Sequence, residues 1–171
     1  YLDGSALFGH TLTRVGFLGG WRSAVDRSRE RRVFSELERR LDDVAVMELA
    51  PPPGIDLRPL APEEKPDLSD LWAPANARQL RHVFENAVND GAIALVACEG
   101  SRVVALDLIS GRGGEDVEIV SPGACYGFLL IEAPPARGRG IGLALTAYSF
   151  VLARELGFRA QLTHVWEGNR A

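Results

Sequence analysis

A mixed α/β sheet built around one strand–glycine loop–helix–strand unit is the fold class this sequence predicts, on three observations. An apolar run, Gly127-Phe128-Leu129-Leu130-Ile131, leads into Pro134-Pro135-Ala136-Arg137-Gly138-Arg139-Gly140. Apolar residues then recur at Ile141, Leu145, Tyr148 and Leu152, spaced by three and four as on one helix face. After Gly157, which suits a left-handed helix cap, a second strand-like run follows at Gln161-Leu162-Thr163-His164-Val165-Trp166. That order implies two parallel strands joined by a right-handed crossover.

The loop carries the chemistry. A helix N-terminus leaves about four backbone N–H groups without internal partners, and the helix dipole adds partial positive charge there. Gly138, Gly140 and Gly142 allow close approach to the backbone, and Arg137 and Arg139 bring cations whose geometry matches phosphate. Such a turn favours a di-anion, a pyrophosphate above all. The alternative is a tight connection whose arginines are merely solvated.

Two phosphate-binding templates fail. Walker A needs Gly-Lys followed by Ser or Thr, a tripeptide absent from the chain. The dinucleotide fingerprint needs Gly or Ala three residues after its second glycine, where this chain has Leu143 or Leu145 according to register. Arg137-Gly138-Arg139-Gly140-Ile141-Gly142 instead resembles the acetyl-CoA signature of the GCN5-related N-acetyltransferases: Gln or Arg, two residues, Gly, one residue, Gly or Ala. The resemblance extends to Pro134 before the loop, Leu156-Gly157-Phe158 at the helix end and Val165-Trp166-Glu167-Gly168-Asn169 at the end of the next strand.

Upstream, the order of elements follows the same family pattern from Ile55 onward. Ile55 to Leu60 alternates as a strand, and its Arg58-Pro59 pair implies an edge or a strand end. Asp67 caps a short helix, Leu68 to Trp72. A longer helix starts at Asn76 or Ala77, buries Leu80, Val83, Phe84, Ala87 and Val88, and stops at Asn89-Asp90-Gly91. His82 lies just off that stripe and reads as a surface residue. Ala92–Cys98 and Arg102–Ile109 form a hairpin across Glu99-Gly100-Ser101. Residues 111–116 read as a loop, Val117–Val120 as a short strand, and Ala124–Glu132 as the strand before the glycine loop.

Before Ile55 the chain is less informative. Residues 1–20 are too broken by glycine and charge for a membrane span of about 20 apolar residues, and lack a signal-peptide pattern. Ser28–Val44 reads as an amphipathic helix with Val33, Phe34, Leu37, Leu41 and Val44 on one stripe. Its neighbouring arginines, Arg27, Arg29, Arg31 and Arg32, read as a solvated face. Pro51-Pro52-Pro53-Gly54 then marks a boundary. The expected organisation is an N-terminal helical extension, 1–50, and a GNAT-like domain, 51–171. The family continues with another helix and two strands, so the chain reads as truncated. Its last strand would have an open edge, for a homodimer or partner to cover.

Composition bounds the function. The 171 residues suit one domain or one domain plus an appendage, and a net charge of −4 with no basic stretch interleaved with aromatics argues against nucleic acid. Cys98 and Cys125 are the only cysteines, with neither disulfide framework nor zinc spacing, so no metal is expected. They read as buried free thiols of a reducing, cytoplasmic compartment.

The resemblance implies acetyl-CoA as cosubstrate, with two splayed parallel strands holding its pantetheine arm against the backbone of Leu130, Ile131, Glu132 and Ala133. It implies a diphosphate on Arg137, Gly138, Arg139, Gly140, Ile141, Gly142 and Leu143. A backbone N–H near Leu130 would polarise the thioester carbonyl, and Asn169 would bond the pantetheine amide or simply serve as a turn residue. A small-molecule or peptide amine then attacks directly. Glu132, at the end of the splaying strand, is the candidate base, with Glu118 and Glu167 behind it. The family usually has an aliphatic residue at that distance, so a solvent-facing Glu132 is the alternative. Tyr126 and Tyr148 read as packing aromatics, His164 as packing or solvent. A non-catalytic CoA-binding module of a larger protein is the second function class, and a nucleotide-binding domain the third.

Overall fold

Long aliphatic runs between turn signals become the central strands. In the computed structural model, which describes residues 34–41, 49–71, 77–111 and 123–166, β3 (Ile93–Glu99) and β4 (Arg102–Ser110) are buried along nearly their whole length. Such strands carry neighbours on both sides and cover on both faces. β2 (Ile55–Pro59) pairs only with β3, as its proline requires of an edge strand. Its Arg58 forks onto Glu64 at 2.7 and 2.8 Å, which fastens the following loop to the edge. A short 3-10 turn, Ser69–Leu71, stands within the expected short helix, and Asp67 accepts from Ser69 N–H at 2.9 Å.

α1 (Ala77–Asn89) lays Leu80, Phe84, Ala87 and Val88 against the core. His82 is exposed and shares a hydrogen bond with Asn86, one helical turn on. β5 (Ala124–Glu132), α2 (Ile141–Glu155) and β6 (Ala160–Trp166) are the strand–helix–strand unit. α2 buries Ile141 and Leu145 in the main core, while Phe150 and Ala153 on another face pack with Cys125. It ends in a Schellman motif: Phe158 N–H donates to Ala153 O and Gly157 N–H to Arg154 O. Gly157 holds φ at +88°, where a side chain would be strained.

Among the described residues six strands form one sheet in the order β1-β6-β5-β4-β3-β2, with β5 and β6 parallel and the other neighbours antiparallel. The first of them corrects the sequence expectation. Within the expected helix Ser28–Val44, Phe34–Arg40 is a strand, β1, paired with β6 from Phe34↔Trp166 to Arg40↔Ala160. The apolar spacing of Leu37 and Leu41 was ambiguous, because residues four apart share a face in a strand as well as in a helix. The backbone decided: β6 offers a full row of donors and acceptors, and pairing them outweighs the modest helix propensity of the segment.

β1 also overturns the expected open edge of the last strand, since the chain's own N-terminal segment fills it. Leu41 locks the strand in place. Its N–H donates to Arg159 O at 2.8 Å, and its side chain is buried with Cys125, Phe150 and Ala153. Leu41→Ala is expected to lower unfolding stability by about 2–4 kcal/mol, read from urea denaturation. An unchanged midpoint would mean that β1 is not docked in solution.

Candidate functional site

The sheet comes apart at one place. β5 and β6 pair in parallel from Ala124↔Ala160 to Gly127↔Thr163, yet β5 runs on to Glu132 and β6 to Trp166. The cause lies on the other side of β5. Its register with β4 slips between Leu108↔Leu129 and Ile109↔Gly127, so Phe128 is an extra residue, a bulge. A bulge bends the strand that carries it and increases its local twist. Beyond it β5 stays on β4 and leaves β6.

The parted edge has a defined polarity. Ala133 N–H donates to Val104 O at 2.9 Å, on the β4 side. Backbone groups alternate in direction along a strand, so the amides of Leu130 and Glu132 point away from β4, into the opening. Leu130 is 48% exposed, an unusual state for leucine in a sheet, and it borders the same opening.

The glycine loop stands at the mouth. Pro134–Ala136 form a single 3-10 turn, closed by Ala136 N–H to Ala133 O at 2.8 Å, and Arg137 N–H makes a long bond to Pro134 O at 3.4 Å. Gly138 and Gly140 then hold φ at +73° and +78°, conformations that turn the chain sharply into α2 and admit glycine best. Gly140 is the N-cap and has no side chain to cap with. The cap comes from the preceding strand instead: Gly142 N–H donates to Glu132 Oε1 at 2.6 Å. Among the described residues no protein acceptor meets the N–H groups of Gly138, Gly140 or Ile141.

The two arginines differ. Arg139 donates to Glu99 Oε1 at 2.8 Å, across to the end of β3, and holds the Glu99 carboxyl below the usual carboxylate range. Arg137 is exposed, and among the described residues no carboxylate pairs with it.

Behind the parting strands lies a buried polar network that the sequence did not announce. Asp107 of β4, directly opposite Leu130, is only 4% exposed. It bonds Ser149 of α2, whose hydroxyl donates to Thr146 O at 2.9 Å. Gln161 of β6 donates from Nε2 to Ser149 Oγ at 3.3 Å. Gln161 occupies the space above Gly127, where a methyl group would meet Nε2 at 2.6 Å. Glycine at the last paired position of β5 thus lets a β6 side chain cross over and tie α2 to the fork. Burial pushes the Asp107 carboxyl up to about 7, with its hydrogen bonding to Ser149 and the Leu108 amide opposing the rise. Burial likewise pushes the Cys125 thiol up to about 12, which leaves it unfit as a thiolate nucleophile.

The structure thus brings together Leu130, Ile131, Glu132, Ala133 and the run Arg137–Leu143 at one mouth, with Ile141 opening α2 as the spacing predicts. Asn169, Glu118 and Glu167 lie outside the described residues. Tyr126 is buried with Ala124, Ala160 and Leu162, and Tyr148 packs on the main core. Sequence reasoning missed Glu99, Asp107, Ser149 and Gln161. Only Asp107 left a signal, as the single charge inside the otherwise apolar run Val103–Ile109. Among the described residues no group of His, Cys, Asp or Glu could hold a metal ion, and no helix is long and apolar enough to cross a membrane.

No family model and no curated protein matches the sequence. Solved structures share its fold. A GCN5-related N-acetyltransferase from Sphaerobacter thermophilus superposes with a TM-score of 0.59 at 18% identity, over 82% of this chain and 45% of that one. A tandem GNAT protein from the clavulanic acid biosynthesis pathway gives 0.56 at 19%, over 80% of this chain and 46% of its own. An N-acetyltransferase from Staphylococcus aureus Mu50 gives 0.50 at 18%, over 68% and 76%. The chain therefore spans less than half the length of the first two.

Asp107 makes the buried network testable. The folded state holds its proton up to about pH 7, against an ordinary value of 3.8. Between those two pH values folding takes up a proton, so this group's contribution falls as pH rises through the window and is lost above it. Asp107→Asn is expected to be more stable than the parent at pH 8 by about 1–3 kcal/mol. The difference should shrink toward pH 4 in urea titrations. A pH-independent difference would mean that Asp107 is charged throughout.

Proposed function

Proceeding from the fold of the GCN5-related N-acetyltransferases, we propose that the chain is an acyl-CoA-dependent N-acyltransferase unit, with acetyl-CoA as donor and a primary amine as acceptor. The observation that carries this is the parting of β5 from β6 with a glycine-rich helix N-terminus at its mouth. An extended amide-bearing arm fits an opening lined by strand backbone, and a diphosphate fits unpartnered N–H groups at the positive end of a helix. The pantetheine arm lies along Leu130 to Ala133. The diphosphate sits on residues 137–143, with Arg137, which pairs with no carboxylate among the described residues, as a cation for it. Asn169, outside the described residues, is the proposed partner of the pantetheine amide. The unit takes in the expected span, 51–171, together with β1, which belongs to the same sheet, and the two buried thiols fit a cytoplasmic setting.

The chemistry needs little from side chains. The Leu130 amide, turned into the opening, polarises the thioester carbonyl. The neutral amine forms a bond to the acyl carbon, the carbon–sulfur bond breaks, and CoA leaves as the thiolate. The amine nitrogen gives up one proton to a carboxylate, for which Glu132 is the nearest candidate. The protein's main contribution is to hold both reactants in line.

A second class, a non-catalytic CoA-binding unit of a longer protein, is favoured by one fact: the chain matches 46% of a protein described as tandem. Calorimetry and thiol release together decide. Acetyl-CoA and CoA are expected to bind, ATP much more weakly, and Arg137→Ala to weaken CoA about tenfold. Thiol release over a panel of amines should follow acetyl-CoA addition. Binding without release would favour the non-catalytic unit, and ATP binding as tight as CoA would remove the coenzyme assignment.

A further inference from the structure

The donors of the glycine loop are in part already satisfied, and by carboxylates of the chain itself. Glu132 holds Gly142 N–H at 2.6 Å, and Glu99 holds Arg139 at 2.8 Å. Each is an oxyanion on a donor suited to phosphate. The two differ in kind. Arg139 and Glu99 are both exposed side chains, which a ligand phosphate can join without breaking the pair. Gly142 has one N–H, and the Glu132 carboxyl lies against the glycine so closely that a methyl group there would meet it at 3.1 Å. A phosphate oxygen and the Glu132 carboxylate cannot occupy that place together.

We propose that Glu132 is a built-in stand-in for the diphosphate, displaced when the coenzyme binds and thereby released toward the reacting amine. This rests on the coenzyme assignment above. Two observations support it beyond the bond itself. Glu132 is the last residue of β5 and only half-buried, so its side chain is not locked in the core. Among the described residues Gly142 N–H is the carboxylate's one hydrogen-bond donor, and no cation pairs with it. The consequence is an ordered use of one group. Bound to Gly142, the carboxylate stabilises the N-terminus of α2 and competes with the ligand. Displaced, it is repelled by the diphosphate and free to accept the amine proton. The base becomes available only once the donor is seated.

The test is a comparison of affinity and turnover in the parent, Glu132→Gln and Glu132→Ala, with inorganic pyrophosphate and CoA as probes in calorimetry. Removing the competitor is expected to tighten CoA and pyrophosphate binding about fivefold in Glu132→Ala, with an intermediate gain in Glu132→Gln, whose amide oxygen still accepts the bond without charge. Thiol release at saturating acetyl-CoA should fall in both variants, so that KM and kcat decrease together. Circular dichroism confirms that the variants are folded, and the glutamine variant keeps the cap if alanine frays α2. CoA binding in the parent with equal or weaker binding in both variants would overturn the displacement while leaving the coenzyme site intact. No CoA binding by any of the three would remove both.

Discussion

The parting of β5 from β6 after Gly127 and Thr163 is the constraint on which the rest depends. Two parallel strands that have begun to pair gain by continuing, since each further residue satisfies buried backbone groups. Something must prevent it. The extra residue at Phe128 makes a bulge in β5, which bends the strand, and β5 keeps its pairing with β4 beyond it. Gln161 then fills the space over Gly127 and bonds Ser149 of α2 instead of leaving the strands free to close. The result is a wedge with backbone amides along one wall and a helix end at its mouth. Every functional group named above takes its place from that geometry.

The electrostatics of the mouth follow from what α2 lacks. A glycine N-cap supplies no side-chain acceptor, so the first helical N–H groups face outward. A carboxylate from the neighbouring strand takes one of them, and a second carboxylate steadies Arg139. The loop is therefore preorganised by anions of the chain itself. An Arg-Gly-Arg-Gly segment without those contacts would lose most of its conformational freedom on binding a ligand. The buried Asp107 network adds rigidity behind the wedge at a price in stability near neutral pH, because burial favours the protonated acid.

Legibility in the sequence varied with the range of the forces involved. The glycine loop, α2 and the two cysteines could be read because local rules govern them: a three–four spacing, glycines where positive φ is needed, apolar strand neighbours. Glu132 was singled out by its place at a strand end, but not its bond to Gly142, ten residues on, which exists only once β5 and α2 are packed. Phe34–Arg40 misled because Leu37 and Leu41 are spaced equally well for either period. Asp107 stood out as a charge in an apolar run, yet its partners Ser149 and Gln161 come from two other elements.

The sequence by itself determined the strand–loop–helix–strand unit, the hairpin of β3 and β4, and the glycine-rich entry into α2, since each is set by neighbours a few positions away. The tertiary structure alone decided that β1 covers β6, that β5 bulges at Phe128, and that Glu132 and Glu99 occupy the loop's donors. Those outcomes depend on which unsatisfied backbone edge or charged group is nearest in space. Spacing along the chain carries no record of that distance.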